Sequence, residues 1–159
     1  MTATRAVREL AQLDLIHCQR KGRSDDITPT YYGRELWEKA RPYLMDTVMK
    51  TIFVRKEGLP ENMPVGGLEA LASISMLAEP RIPIRALDKK AVDDYPLRQI
   101  QPGWETENDY IELELWAYDP RSFAQHGSVD IVSLYASLQN ENDERIEETM
   151  EEGIREYAW

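Results

Sequence analysis

Residues 110–118, YIELELWAY, alternate strictly between two kinds of side chain. Ile111, Leu113, Leu115 and Ala117 fall on one face of an extended chain, and Tyr110, Glu112, Glu114, Trp116 and Tyr118 on the other, because successive strand side chains point in opposite directions. A strand of this kind needs neighbours to pair with and a second layer to cover its apolar face. Asp119-Pro120 ends it. The rest of the chain supplies both requirements. Residues 47–54 read as a strand closed by Gly58 and Pro60, and residues 82–87 as a shorter one near Pro80 and Pro83. Gly66-Gly67 opens a helix of small residues over 68–78. Residues 129–138 form a second helix capped by Ser128 or Asp130. After Asn140, a final helix carries Ile146, Met150, Ile154 and Tyr157 as an apolar stripe opposite Glu147, Glu148, Glu151 and Glu152. Strands and helices in mixed order define an α+β domain over residues 46–159.

The first 45 residues have a different organisation. Ala6, Val7, Leu10 and Leu13 recur at helical spacing, which predicts a helix over residues 3–13 with Thr2 as N-cap and the apolar stripe facing a core. Residues 16–20 alternate as a half-buried strand with Cys18 inward and His17 toward solvent. Residues 21–25 have the composition of a turn, and 26–30 return as a second strand in which Pro29 demands an edge position. A further helix follows with Leu36, Trp37, Ala40 and Leu44 inward, and Pro42 ends or kinks it near Arg41. The order is helix, strand, basic turn, strand, helix: a partial winged helix-turn-helix, with Arg5 and Arg8 on the helix and Arg20, Lys21 and Arg23 at the tip of the wing.

Charge supports a division of labour. The chain has a formal net charge of −10, yet residues 1–60 are net +3 and residues 61–159 are net −13. Such asymmetry often sets a segment that faces nucleic acid apart from the rest; the alternative reading is an acidic, soluble protein with a neutral corner. No apolar run approaches the ~18 residues of a membrane span, and no segment resembles a signal peptide. With one cysteine, Cys18, and two histidines, His17 and His126, neither a disulfide framework nor a cysteine- or histidine-rich metal site is expected. A reducing cytoplasm is the expected location, and no cofactor is expected.

The segment TATRAVRELAQLDLIHCQRKGRS followed by ITPTYYGRELWEKA resembles the recognition helix, wing and following helix of MarR-like winged-helix regulators, over about residues 2–41. Thr30 to Leu36 matches that family's T-x-x-G-R-E-L helix start. The resemblance implies a DNA-binding transcriptional regulator reading paired half-sites of double-stranded DNA, commonly as a homodimer. Thr2, Thr4, Arg5 and Arg8 would face the major groove, and Arg20, Lys21 and Arg23 would hold phosphates. Family members carry further helices ahead of the recognition helix. The expectation is therefore a fragment, a misassigned start, or a domain completed in another way. Gly67 to Ala72 and Val129 to Leu138 resemble phrases of AbiEi-type antitoxin regulators, which implies a protein partner for the acidic domain.

Two other readings compete. One is an interaction module without DNA binding. The other is a metal-dependent nuclease using Asp94, or its neighbour Asp93, with Glu112 and Glu114, since paired carboxylates can hold Mg²⁺. Against the latter, Glu112 and Glu114 read as a solvated strand face, and no lysine follows in the restriction-type spacing. No catalytic serine frame or phosphate-binding glycine loop is present, so the expectation is that the chain is not an enzyme. Trp104, Trp116, Tyr110 and Tyr118 are expected to pack under the last helices rather than line a ligand pocket.

Overall fold

In the computed structural model, which describes residues 2–101 and 109–159, the chain is α+β and divides into two compact units. The first comprises residues 1–44 with Trp159, and the second residues 45–158.

The first unit opens with helix α1 (Ala3–Gln12). The Thr2 side chain accepts from the Arg5 amide at its start, satisfying one of the donors a helix N-terminus leaves open. Strands β1 (Ile16–Lys21) and β2 (Ser24–Pro29) pair antiparallel from Ile16 opposite Pro29 to Lys21 opposite Ser24. Gly22-Arg23 is then a two-residue loop. Gly22 has φ +67° and Arg23 is not among the residues with positive φ, the requirement of a type II′ hairpin turn. Helix α2 (Gly33–Ala40) passes at Arg41 into a 3₁₀ turn, Arg41–Tyr43, where Pro42 removes the next amide donor.

The apolar residues buried in this unit, among those described, are Leu15 and Trp37. That corrects the expectation for the stripe of α1. Ala6 and Val7 are half-buried, but Leu10 is 39% and Leu13 36% exposed. Cys18 is also exposed, not inward, and Ile27 is 46% exposed. The hairpin forms where expected, but β1 is not half-buried: every residue of it after Ile16 is exposed, and the buried Leu15 lies just before it.

The second unit is built on a mixed sheet. Strand β3 (Val48–Arg55), helix α3 (Gly67–Ser73) and strand β4 (Ile84–Asp88) come first. A 3₁₀ turn (Lys89–Asp94), strand β5 (Gln99–Ile100) and strand β6 (Tyr110–Trp116) follow. A second 3₁₀ turn (Pro120–Ser122) leads to helices α4 (Ile131–Leu138) and α5 (Glu144–Glu156). Among the described residues the strand order is β4-β6-β3-β5, with β4 parallel to β6 and the other pairs antiparallel. The register of β3 slips between Val48 and Lys50, the mark of a bulge.

Both faces of this sheet are covered. On one, Ala86 and Trp116 pack with Leu71 of α3, Leu134 of α4 and Met150 of α5. On the other, Ile52, Val54, Ile111 and Leu113 pack with Val92 and Tyr95 from the segment between β4 and β5. The final helix buries Ile146, Met150 and Ile154 as the periodicity requires, whereas Tyr157, the last residue of the expected stripe, lies past the helix as its half-buried, extended C-cap; Asp143 caps the start through the Arg145 amide. Asp130, rather than Ser128, caps α4, accepting from the Ser133 amide at 3.0 Å. Helix α3 stops at Ser73, five residues earlier than expected. The Ser73 and Ser75 hydroxyls each donate at 2.7 Å to the Ala70 and Leu71 carbonyls, diverting groups that a longer helix would use.

Two substitutions test this division of cores. Leu113→Ala, at a fully buried site, should cost about 2–5 kcal/mol, read as a lower urea midpoint. Trp37→Ala should cost about 3–5 kcal/mol in the first unit. It should appear as lost hydrogen-exchange protection of β1 and β2 while the β3 and β6 amides stay protected.

Candidate functional site

The cations singled out in the sequence all lie in the first unit, and all are exposed. Thr4, Val7, Arg8, Ala11 and Gln12 of α1 share a shallow groove with Cys18 of β1 and Asp25 of β2. The groove has a volume of about 420 Å³. Arg20 pairs across the hairpin with Asp25, and Lys21 with Ser24. Strand alternation therefore puts Arg20 on the face carrying Cys18 and Asp25, and Lys21 on the opposite face. Arg23 stands at the tip. The structure thus gathers Thr4, Arg8 and the Arg20 face about one groove and turns Lys21 away.

Local pairing further sorts these residues. Thr2 is spent on capping α1. Arg5 donates to Glu9 one helical turn on at 2.7 Å, and that contact holds its guanidinium further toward the charged form. Lys21 is ion-paired with Asp26. Arg20 donates to the Gly22 carbonyl at a long 3.5 Å. Among the described residues neither the Arg8 nor the Arg23 side chain has a hydrogen bond or ion pair. Arg8, Arg20 and Arg23 are therefore the cations most available to an incoming anion. Both available pairs, Arg5–Glu9 and Lys21–Asp26, are solvent-exposed, and exposed pairs of this kind cost little to exchange for another partner.

In the second unit the acids have a geometry that the alternation did not foretell. Glu114 is not solvated. It is 6% exposed, because α3, α4 and α5 cover the strand face that carries it. Its carboxylate lies against Gly66 and Gly67, where added Cβ atoms would come within 2.6 and 2.7 Å of its two oxygens. The Trp116 indole N–H donates to Glu114 Oε2 at 3.0 Å. Gly66-Gly67 is therefore a seat for a buried carboxyl. Burial pushes Glu114 up to about 7, the Trp116 bond pulls it down, and the charges of Glu112 and Asp46 add to the rise. Glu112 is raised as well, first by its own partial burial and then by Glu141.

The acids do not assemble as a nuclease site would require. Asp93 and Asp94 end the 3₁₀ turn whose Ala91 and Val92 pack on the opposite sheet face from Glu114. Among the described residues no group of three or more His, Cys, Asp or Glu is placed to hold a metal ion. Of the aromatics, Trp116 is fully buried under the helices. Tyr118 meets it edge-on at 5.7 Å and shares a 2.6 Å hydrogen bond with the Ser133 hydroxyl. Tyr110 packs edge-on against Phe53 at 6.2 Å. Trp104 lies outside the described residues.

Sequence reasoning missed the burial of Glu114 and a cleft lined by parts of α3, the segment before α4, and the end of α5. No local signal marks either one, since each joins residues far apart in the chain.

The buried carboxyl has a measurable signature. A group whose folded value is raised binds more protons in the native state, so its stabilisation is complete below about pH 4.5 and is lost as pH rises through about 7. A shift of this size corresponds to roughly 3 kcal/mol. Between pH 5 and pH 8 the unfolding free energy of the wild type should fall more steeply than that of Glu114→Gln, as followed by urea titration at each pH.

No family model matches this chain, and comparison with curated proteins and with solved structures found no match, so the MarR-like and AbiEi-like resemblances rest on their short phrases alone.

Proposed function

We propose that this chain is a DNA-binding transcriptional regulator of winged-helix type, in which the first unit contacts double-stranded DNA and the acidic second unit receives an effector or protein partner. One observation carries the reading. A helix and an adjoining hairpin with a two-residue loop present Arg8, Arg20 and Arg23, cations without ion-pair partners among the described residues, around and beyond one groove. Residues 1–44 are net +2 and residues 45–158 are net −12, a contrast that favours approach of DNA to the first unit and disfavours it at the second. Arg8, with Thr4 beside it, is the base-edge candidate, and Arg20 and Arg23 are phosphate contacts. A cytoplasmic location fits the single exposed thiol and the lack, among the described residues, of a helix long and apolar enough to cross a membrane. A C2 dimer fits the reading of paired half-sites.

A second reading has its own support. Leu10, Leu13 and Ile27 leave apolar surface exposed on the same unit, which suits an antitoxin-like interaction module that docks a protein instead of DNA.

Fluorescence anisotropy on DNA from the gene's own upstream region separates the two. For a DNA wing, log affinity should fall with log salt by about 0.9 per phosphate contact. Changing Arg20, Lys21 and Arg23 together to Ala should flatten that slope, with the far-UV spectrum unchanged. Arg8→Ala should lose discrimination between operator and unrelated DNA. Binding that ignores both changes, or no binding at all, would favour the interaction module.

A further inference from the structure

The second unit holds a cleft of about 480 Å³, within the range of small-molecule sites. Its apolar lining comes from Ala70 and Ile74 of the α3 end, Val129, Ile131 and Leu134. The polar lining is one-sided. Asp130 and Glu156 bring two carboxylates, and among the described lining residues there is no lysine or arginine. His126 and Ser128 complete the rim.

Two further features favour positive charge. The last turn of helix α5 lines the cleft with Gly153 and Glu156, and Tyr157 follows as its C-cap. The carbonyls of that end carry the negative pole of the helix dipole. The Asp130 carboxylate caps the α4 N-terminus, so part of its charge offsets that positive pole, and Glu156 and the end of α5 supply the rest of the negative field. Tyr157 adds an aromatic ring at the same end, and aromatic faces attract cations.

The rim is also preformed. His126 and Gly127 both have left-handed φ, +50° and +82°. The turn they form is closed by reciprocal 2.9 Å backbone bonds between Gln125 and Ser128. This is the pattern of a type I′ hairpin loop, which places the rim without an ordering cost on binding.

We propose that this cleft binds small amphiphilic cations, an aromatic or alkyl body bearing one ammonium group. The apolar floor takes the body, and Asp130, Glu156 and the end of α5 hold the charge. The site lies within the second unit and functions whether or not the first unit binds DNA, so its test does not depend on that reading.

Calorimetric titration of the full chain with 4-phenylbutylammonium, 4-phenylbutan-1-ol and 4-phenylbutyrate compares one skeleton carrying a positive, no and a negative charge. The cation should bind tightest, about tenfold or more over the carboxylate. Asp130→Asn keeps a competent helix cap while removing its charge, and Glu156→Gln alters an exposed side chain. Each should weaken the cation several-fold and leave the alcohol unchanged. Amide shifts at Ser73, His126 and Gly153 should report the bound cation. Equal affinity for the three compounds, no binding of any, or a cation preference that survives the double variant Asp130→Asn/Glu156→Gln would overturn the proposal.

Discussion

The second unit depends on one strand being buried on both sides. β6 pairs with β3 on one flank and β4 on the other, and Leu113 on one face and Trp116 on the other are fully buried. The helices gather over the Trp116 face, and the segment between β4 and β5 closes the Leu113 face. A strand in this position must bury whatever its alternation places there, including a carboxylate. The chain meets the cost of Glu114 with a hydrogen bond from Trp116, a raised proton affinity, and two glycines that let the backbone pass close beside it. Around this seat the small residues of α3 follow directly, so Gly66-Gly67 serves both the carboxyl and the entry to the helix.

The first unit is organised on the opposite terms. Its buried apolar side chains, among those described, are Leu15 and Trp37, and most of the surface of α1 and the hairpin is turned to solvent. That exposure is what leaves Arg8 and Arg23 available, and it also leaves Leu10, Leu13 and Ile27 uncovered. Both follow from a unit whose buried core is small, and Trp37 is a large share of that core. The second unit inverts this balance, with a double-faced core, a strongly acidic surface and a concavity whose lining carries the same sign of charge.

How far the sequence could be read depends on whether a feature is local. The alternation of residues 110–116 and the stripe Ile146, Met150, Ile154 are set by the period of a strand or a helix, and both hold in the fold. The basic turn was legible because Gly22 between two polar residues is a turn signal, and the hairpin forms there. The two-residue strand β5 has no period to display, since it becomes a strand only by pairing with Phe53 and Val54. The early end of α3 was hidden for a related reason: serine hydroxyls compete for carbonyls only once the turn has formed.

By itself, the sequence determined the types and rough limits of the longer elements, the α+β class, and the separation of a basic segment from an acidic one. Those follow from periodicity, turn chemistry and counting, which act between near neighbours. Which alternating face would be covered was decided only by tertiary structure. Thus Glu114, expected in water, is buried and Cys18, expected inside, is exposed. The cleft over α3, α4 and α5 was decided in the same way, because its carboxylates and apolar floor come from segments that meet only when the helices pack on the sheet. Burial is a property of what lies opposite a residue, and the chain's own order does not state it.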